Sequence, residues 1–181
     1  MTSSEQIINF NSKDPEWGFL SNFAKHSEGT EIDYRGEKYE TVEAAFQASK
    51  FPPTNDGLWY REQIRLAPNP AFGFFLGRQI QMGHPTKSCY SMNELIRESL
   101  ARRVHILPHW DQNKLDIMRE LLKQKFTHDS EFGMRLIATG DAKLVENTSH
   151  PFWGIGKYNQ GENWLGRLLM EIRDDLSPKP I

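Results

Sequence analysis

Apolar and polar positions change period several times along this chain. Ile7, Ile8 and Phe10 form a short apolar run that predicts a strand over 7–10. Asp14, Pro15 and Gly18 mark a turn. Residues 30–39 alternate in type around Arg35-Gly36, the pattern of a hairpin. Helical spacing takes over at Thr41, a capping residue, and runs over 41–51 until Pro52-Pro53 stops it. Further helices are predicted over 56–66, closed by Pro68 and Pro70, over 70–80, weakened by Gly73 and Gly77, and over 91–103. Residues 111–126 place Leu115, Met118, Leu121, Leu122 and Phe126 on one helical face. A shorter helix over 130–139 is closed by Gly140, residues 142–146 predict a strand, and 163–176 predict the last helix. The expected fold class is α+β: a mainly helical single domain with a small β-sheet.

Composition bounds the class further. The chain has 181 residues, close to the roughly 150 of an average domain. It has no internal repeat and no linker-like stretch, so residues 1–181 are expected to form one domain. Hydrophobic residues make up 38% and mean hydropathy is −0.65, with no apolar run of membrane-spanning length. Cys89 is the only cysteine, which rules out a disulfide within the chain and a cysteine-based zinc site. Residues 1–6 lack the basic and apolar parts of a signal peptide. A cytoplasmic location is expected, or a nuclear one in a eukaryote. A net charge of −2 and a pI near 6.3 argue against a wide basic nucleic-acid footprint. They leave room for a local phosphate site.

Two segments carry candidate chemistry. Glu43, Gln47 and Lys50 are spaced i, i+4, i+7, within about 60° of one another on a helix. Helical side chains lean toward the N-terminus, so the Lys50 amine tilts back toward Glu43. This is either a carboxylate, an amide and an amine facing one space, or a solvated face with an ordinary ion pair. Gly154, Gly156, Gly161 and Gly166 lie around the start of the last helix. They form either a phosphate-contacting loop at a helix N-terminus or a tight connection. Glu162-Asn163 replaces the Lys and Ser/Thr of a P-loop, so that motif is excluded. His105 and His109 are separated by Pro108, and no metal site is expected. Trp110 and Trp153 follow Pro-containing turns, where an aromatic face can join the core or stack on a ring.

Taken in order, these segments resemble the NADAR family. The resemblance rests on Phe19-Leu20-Ser21-Asn22-Phe23, Gly36, Tyr39, the whole 41–51 stretch, Gly77-Arg78, Trp110, Met118, Lys125-Phe126, Thr139-Gly140, residues 144–146 and the 153–173 block. It covers about residues 7–176. It implies an enzyme, a hydrolase of N-glycosidic bonds that needs neither cofactor nor metal. The first substrate class it implies is ADP-ribose joined to guanine bases in nucleic acid such as DNA. Phosphorylated riboflavin-pathway intermediates are the alternative, and an ADP-ribose or NAD-binding module without turnover is the reading from another class. The expected partner is therefore ADP-ribosylated nucleic acid or a phosphoribosyl small molecule. By the same resemblance Glu43 and Lys50 are the catalytic residues. Asn22, Phe23, Tyr39, Gln47, Arg78, Trp110, Trp153, Gly154, Gly156 and Asn163 are expected to bind substrate. One departure stands out: Ser149-His150-Pro151-Phe152 occupies the stretch where many relatives carry an acidic residue before the tryptophan.

Overall fold

The computed structural model describes residues 6–25, 31–82 and 93–177. The expectations placed on residues 1–5, Thr30, Cys89 and Ser91 lie outside these. The described residues form an α+β fold with seven helices and four short strands paired in twos. None of the helices is long and apolar enough to cross a membrane. Packing divides the chain into two compact units, Met1–Thr30 with Leu122–Ile181, and Glu31–Leu121.

The first unit is built on β1 (Ile7–Phe10) and β4 (Lys143–Glu146), which pair in parallel with Ile7 opposite Lys143 and Phe10 opposite Glu146. Period-2 burial follows: Ile8 and Phe10 are buried and Ile7 and Asn9 exposed. Helix α7 (Trp164–Leu176) buries Leu165, Leu168, Leu169 and Ile172, a single helical stripe, and packs on β4 and on α6 (Glu131–Ile137). Gly166 is needed where α7 crosses β4, because any Cβ there would collide with the Leu144 carbonyl. After the predicted turn the chain forms a short 3-10 turn, Gly18–Leu20. Arg135 secures this segment, lying 3.9 Å over the Phe19 ring and donating to the Glu16 carbonyl at 2.7 Å.

In the second unit β2 (Ile32–Tyr34) and β3 (Glu37–Tyr39) form the expected antiparallel hairpin. Its two turn residues, Arg35 and Gly36, have φ of 55° and 85°, the hand that matches strand twist. Asp33 holds the turn by accepting from the Gly36 N–H at 3.0 Å. Then come α1 (Val42–Ala48), α2 (Asn55–Arg65), α3 (Pro70–Met82), α4 (Asn93–Ala101) and α5 (Trp110–Lys125), whose last residues are counted in the first unit. Thr41 and Thr54 cap α1 and α2 through their hydroxyls. Helix α1 is the centre of this unit, packed on α2, α3, β2 and β3. It ends at Ala48, short of the expected 41–51. The following Lys50 and Phe51 amides bond back only three residues, to Gln47 and Ala48. Pro52 and Pro53 keep the chain from continuing as a helix.

Asn163 supplies a test of how the first unit is held. Its side chain accepts from the Glu146 N–H and donates to the Leu144 carbonyl, both at 2.9 Å, while its own φ is 53°. Asn163→Ala strips two partners from strand β4 and leaves alanine in a left-handed conformation. We expect a loss of about 3 kcal/mol, read as a lower urea midpoint with unchanged slope; an unchanged midpoint contradicts this bridging role.

Candidate active site

Glu43, Gln47 and Lys50 are 6%, 2% and 4% exposed, so this polar face of α1 and its following turn is buried rather than solvated. Gln47 Nε2 donates to Glu43 Oε1 at 2.7 Å. Gln47 Oε1 is buried and accepts no hydrogen bond among the described residues, a cost of about 1–3 kcal/mol. The amide faces this way because only its N–H end can donate to the carboxylate.

The Lys50 amine lies 5.9 Å from the Phe46 ring centre and 5.8 Å from that of Trp110. These two rings pack at 5.1 Å with a 55° tilt. Burial in this aromatic corner lowers the Lys50 pKa from 10.5 to about 8. The Glu43 charge pulls it up, Arg78 pushes it down, and Asp111 and Lys114 add opposing smaller effects. The lowered pKa leaves more of this amine neutral near pH 7 than an exposed lysine has.

The backbone around Lys50 is pinned on both sides. Its carbonyl accepts from the Leu107 N–H at 2.6 Å. The next carbonyl, Phe51, accepts two bonds from the buried Arg61 guanidinium, at 3.1 and 2.6 Å. Arg61 in turn lies 3.5 Å from the Glu37 carboxylate. The Tyr39 hydroxyl donates to the same Glu37 oxygen at 2.7 Å. Tyr39 is 1% exposed, and burial with the neighbouring Glu37 charge pushes its pKa well above the usual phenol range. The one polar atom of its side chain is thus engaged in the network that anchors the end of α1.

The second unit thus brings together Glu43, Gln47, Lys50, Arg78 and Trp110 from the expected set. Trp110 is a packed wall of the Lys50 environment. Arg78 is exposed on α3, its guanidinium 5.8 Å from the Phe74 ring. Three residues were not in that set: Phe46, Asp111 and Lys114. The latter two stand one and four places after Trp110, at the start of α5, a spacing that could have pointed to them.

The remaining candidates belong to the first unit. Asn22 is buried and Phe23 half-buried, with the Phe23 N–H on the Ser21 hydroxyl. The Ser21 carbonyl accepts at 2.6 Å from Lys125. That amine is buried and 5.0 and 5.4 Å from the rings of Phe126 and Phe132, and burial lowers its pKa to about 7. In the glycine segment the backbone donors are engaged internally. Gly154, Gly156, Gly161, Asn163, Trp164 and Leu165 N–H groups donate to the carbonyls of His150, Thr148, Ile155, Gly154, Phe152 and Trp153. The phosphate-cradle expectation finds no spare donor at these six positions, and the tight-connection alternative describes them. Trp153 is half-buried, edge-on to Phe152 at 4.9 Å, with its N–H on His150 Nδ1. His150 accepts the Phe152 N–H as well. The stretch that lacks the expected acid is thus a histidine-braced turn. Among the described residues no group of His, Cys, Asp and Glu is placed to hold a metal ion.

An α+β fold with a buried carboxylate, amide and low-pKa amine along one short helix and its following turn defines a candidate enzyme of acid–base or amine chemistry. A family profile described as the NADAR domain matches residues 9–177, and the chain belongs to this family. It is 33% identical over 174 residues to N-glycosidase YbiA of Escherichia coli K12, covering 96% of this chain and 90% of that one. The NMR structure of E. coli YbiA superposes with a TM-score of 0.70 at 33% identity, over 97% of this chain and 87% of that one. The riboflavin biosynthesis protein VVA0006 of Vibrio vulnificus is 30% identical over 173 residues, 95% of this chain but 39% of that longer protein.

The buried amine makes a direct prediction. In an NMR titration of lysine side chains Lys50 titrates near pH 8, apart from the exposed lysines. Glu43→Gln moves its midpoint lower, because the carboxylate is what holds it up. The folded pKa lies below the unfolded one, so stability contributed by this group rises between pH 8 and 10.5. A Lys50 midpoint above 10 contradicts the buried geometry.

Proposed function

We propose that this chain is an N-glycosidase that cleaves the bond between a nitrogen and C1 of a phosphorylated ribose, with Glu43 and Lys50 at the reacting carbon. It is a hydrolase acting on N-glycosidic bonds, as the names of its relatives support. The observation that carries the assignment of residues is the joint burial of Glu43 and Lys50 on one face, with the amine pKa lowered to about 8.

The chemistry follows from the groups present. Breaking the C1–N bond leaves positive charge on C1 and the ring oxygen. A carboxylate already oriented beside C1 stabilises that charge without having to reorganise. The neutral fraction of Lys50 attacks C1 as the C1–N bond breaks, and the departing nitrogen takes a proton. The ring oxygen then leaves C1 and is protonated, giving a Schiff base between C1 and Lys50. Glu43 takes a proton from the water that adds to this carbon, and expulsion of the amine releases the free sugar. Arg78 sits on the exposed rim of α3, where a guanidinium suits phosphate oxygens. Trp110 offers an apolar wall.

Among substrates, relatives named for riboflavin biosynthesis favour a phosphorylated riboflavin-pathway intermediate. The acidic pI agrees with a substrate that needs no duplex contacts.

A side-by-side assay of the phosphorylated riboflavin-pathway intermediate and of an oligonucleotide carrying ADP-ribosylated guanine decides the substrate. Cleavage of the first alone is expected. Glu43→Gln lowers turnover by at least ~100-fold. Borohydride added during turnover traps a sugar adduct on Lys50. No adduct in an actively cleaving sample removes the Schiff-base step and leaves Lys50 as an anchor. Full turnover by folded Glu43→Gln removes Glu43 from the chemistry.

A further inference from the structure

We propose that Gln47 is a positioning residue that fixes the Glu43 carboxylate, and that Gly77 on α3 is the contact that fixes Gln47. The inference rests on the reading of Glu43 given above and adds the device that aims it.

The geometry is a relay across two helices. Gln47 stands one turn after Glu43 on α1, and its Nε2 reaches the Glu43 Oε1 at 2.7 Å. The amide oxygen then has to point the other way, and Gly77 lies there. A Cβ at position 77 would collide with Gln47 Oε1 and come within 3.0 Å of Gln47 Cβ and Cδ. Helices α1 and α3 are in direct contact, so the side chain cannot retreat along that side. Gly77 lies within α3 and is not among the residues with positive φ. Its glycine answers to space rather than to backbone conformation. Gln47 Oε1 accepts no hydrogen bond among the described residues. A methionine of similar volume would fill the site without a buried unsatisfied oxygen. The amide is therefore poorly explained by packing and well explained by the single bond it gives to Glu43. Loss of that bond removes a hydrogen-bond donor from the Glu43 carboxylate and one restraint on its rotamer.

The test uses Gln47→Met, Gly77→Ala and the double variant, with circular dichroism as a check on folding. The charged groups acting on this face are Glu43 and Lys50 themselves, Arg78 on α3, and Asp111 and Lys114 on α5; all are kept. Gln47→Met is expected to lower kcat on the cleaved substrate by ~10- to 100-fold with KM little changed. The acid limb of its pH profile should move to higher pH. Gly77→Ala should do the same in smaller measure, acting from a different helix. In the double variant Gly77→Ala should add little further loss, because the bond to Glu43 through which it acts is already gone. A carboxyl carbon NMR titration of Glu43, which needs no substrate, should show its midpoint raised in Gln47→Met relative to the unsubstituted chain. An unmoved midpoint and acid limb in folded Gln47→Met overturns the inference while leaving Glu43 catalysis standing. A raised midpoint beside full turnover in Glu43→Gln leaves the relay standing and overturns the catalytic reading. Independent, multiplying effects of the two substitutions overturn the Gly77 part.

Discussion

Three polar side chains buried along one short helix and the turn that follows it form the constraint around which the second unit is organised. Burying a carboxylate or an ammonium costs several kcal/mol unless partners replace the lost water. Glu43 receives the Gln47 amide, and its charge opposes the loss of the Lys50 proton. Helices α2 and α3 and strands β2 and β3 all pack on α1. Arg61 clamps the Phe51 carbonyl just past Lys50, with Glu37 and Tyr39 behind it. The hairpin thus does more than cover the core. Its last residues hold the far end of the segment that carries the amine.

Local signals made much of this fold legible. Thr41 and Pro52-Pro53 bracket α1, Ser130 and Gly140 bracket α6, and the turn at Arg35-Gly36 joins a hairpin. These features depend on residues close in the chain, which is where propensity and capping act. Pairing of β1 with β4 joins opposite ends of the sequence, and no local pattern encodes its parallel register. The burial of the Glu43, Gln47 and Lys50 face was equally hidden, because the elements that cover it lie on other parts of the chain. A polar stripe at helical spacing reads alike whether water or protein stands over it. The glycine segment stayed ambiguous for a related reason: the N–H groups of Gly154, Gly156 and Gly161 find acceptors at His150, Thr148 and Ile155, which glycine spacing cannot reveal. The Glu37 partner of the Tyr39 hydroxyl was likewise not legible in the sequence.

Family membership and the site geometry answer different questions. The match over residues 9–177 places the chain among NADAR proteins, and relatives there carry more than one name for what they do. Fold likeness alone leaves the reaction open, since function resides in particular groups. What narrows it is a neutral-capable amine next to a carboxylate, a pair suited to an electrophilic sugar carbon.

The central claim is that a ribose C1 docks against this buried face. A crystal of the Glu43→Gln chain soaked with the phosphorylated riboflavin-pathway intermediate tests it most directly. The account predicts the uncleaved riboside with C1 within ~3.5 Å of Lys50 Nζ and of the residue 43 carboxamide. A riboside bound with C1 away from α1, and with Lys50 still sealed behind Trp110 and Phe46, would contradict it.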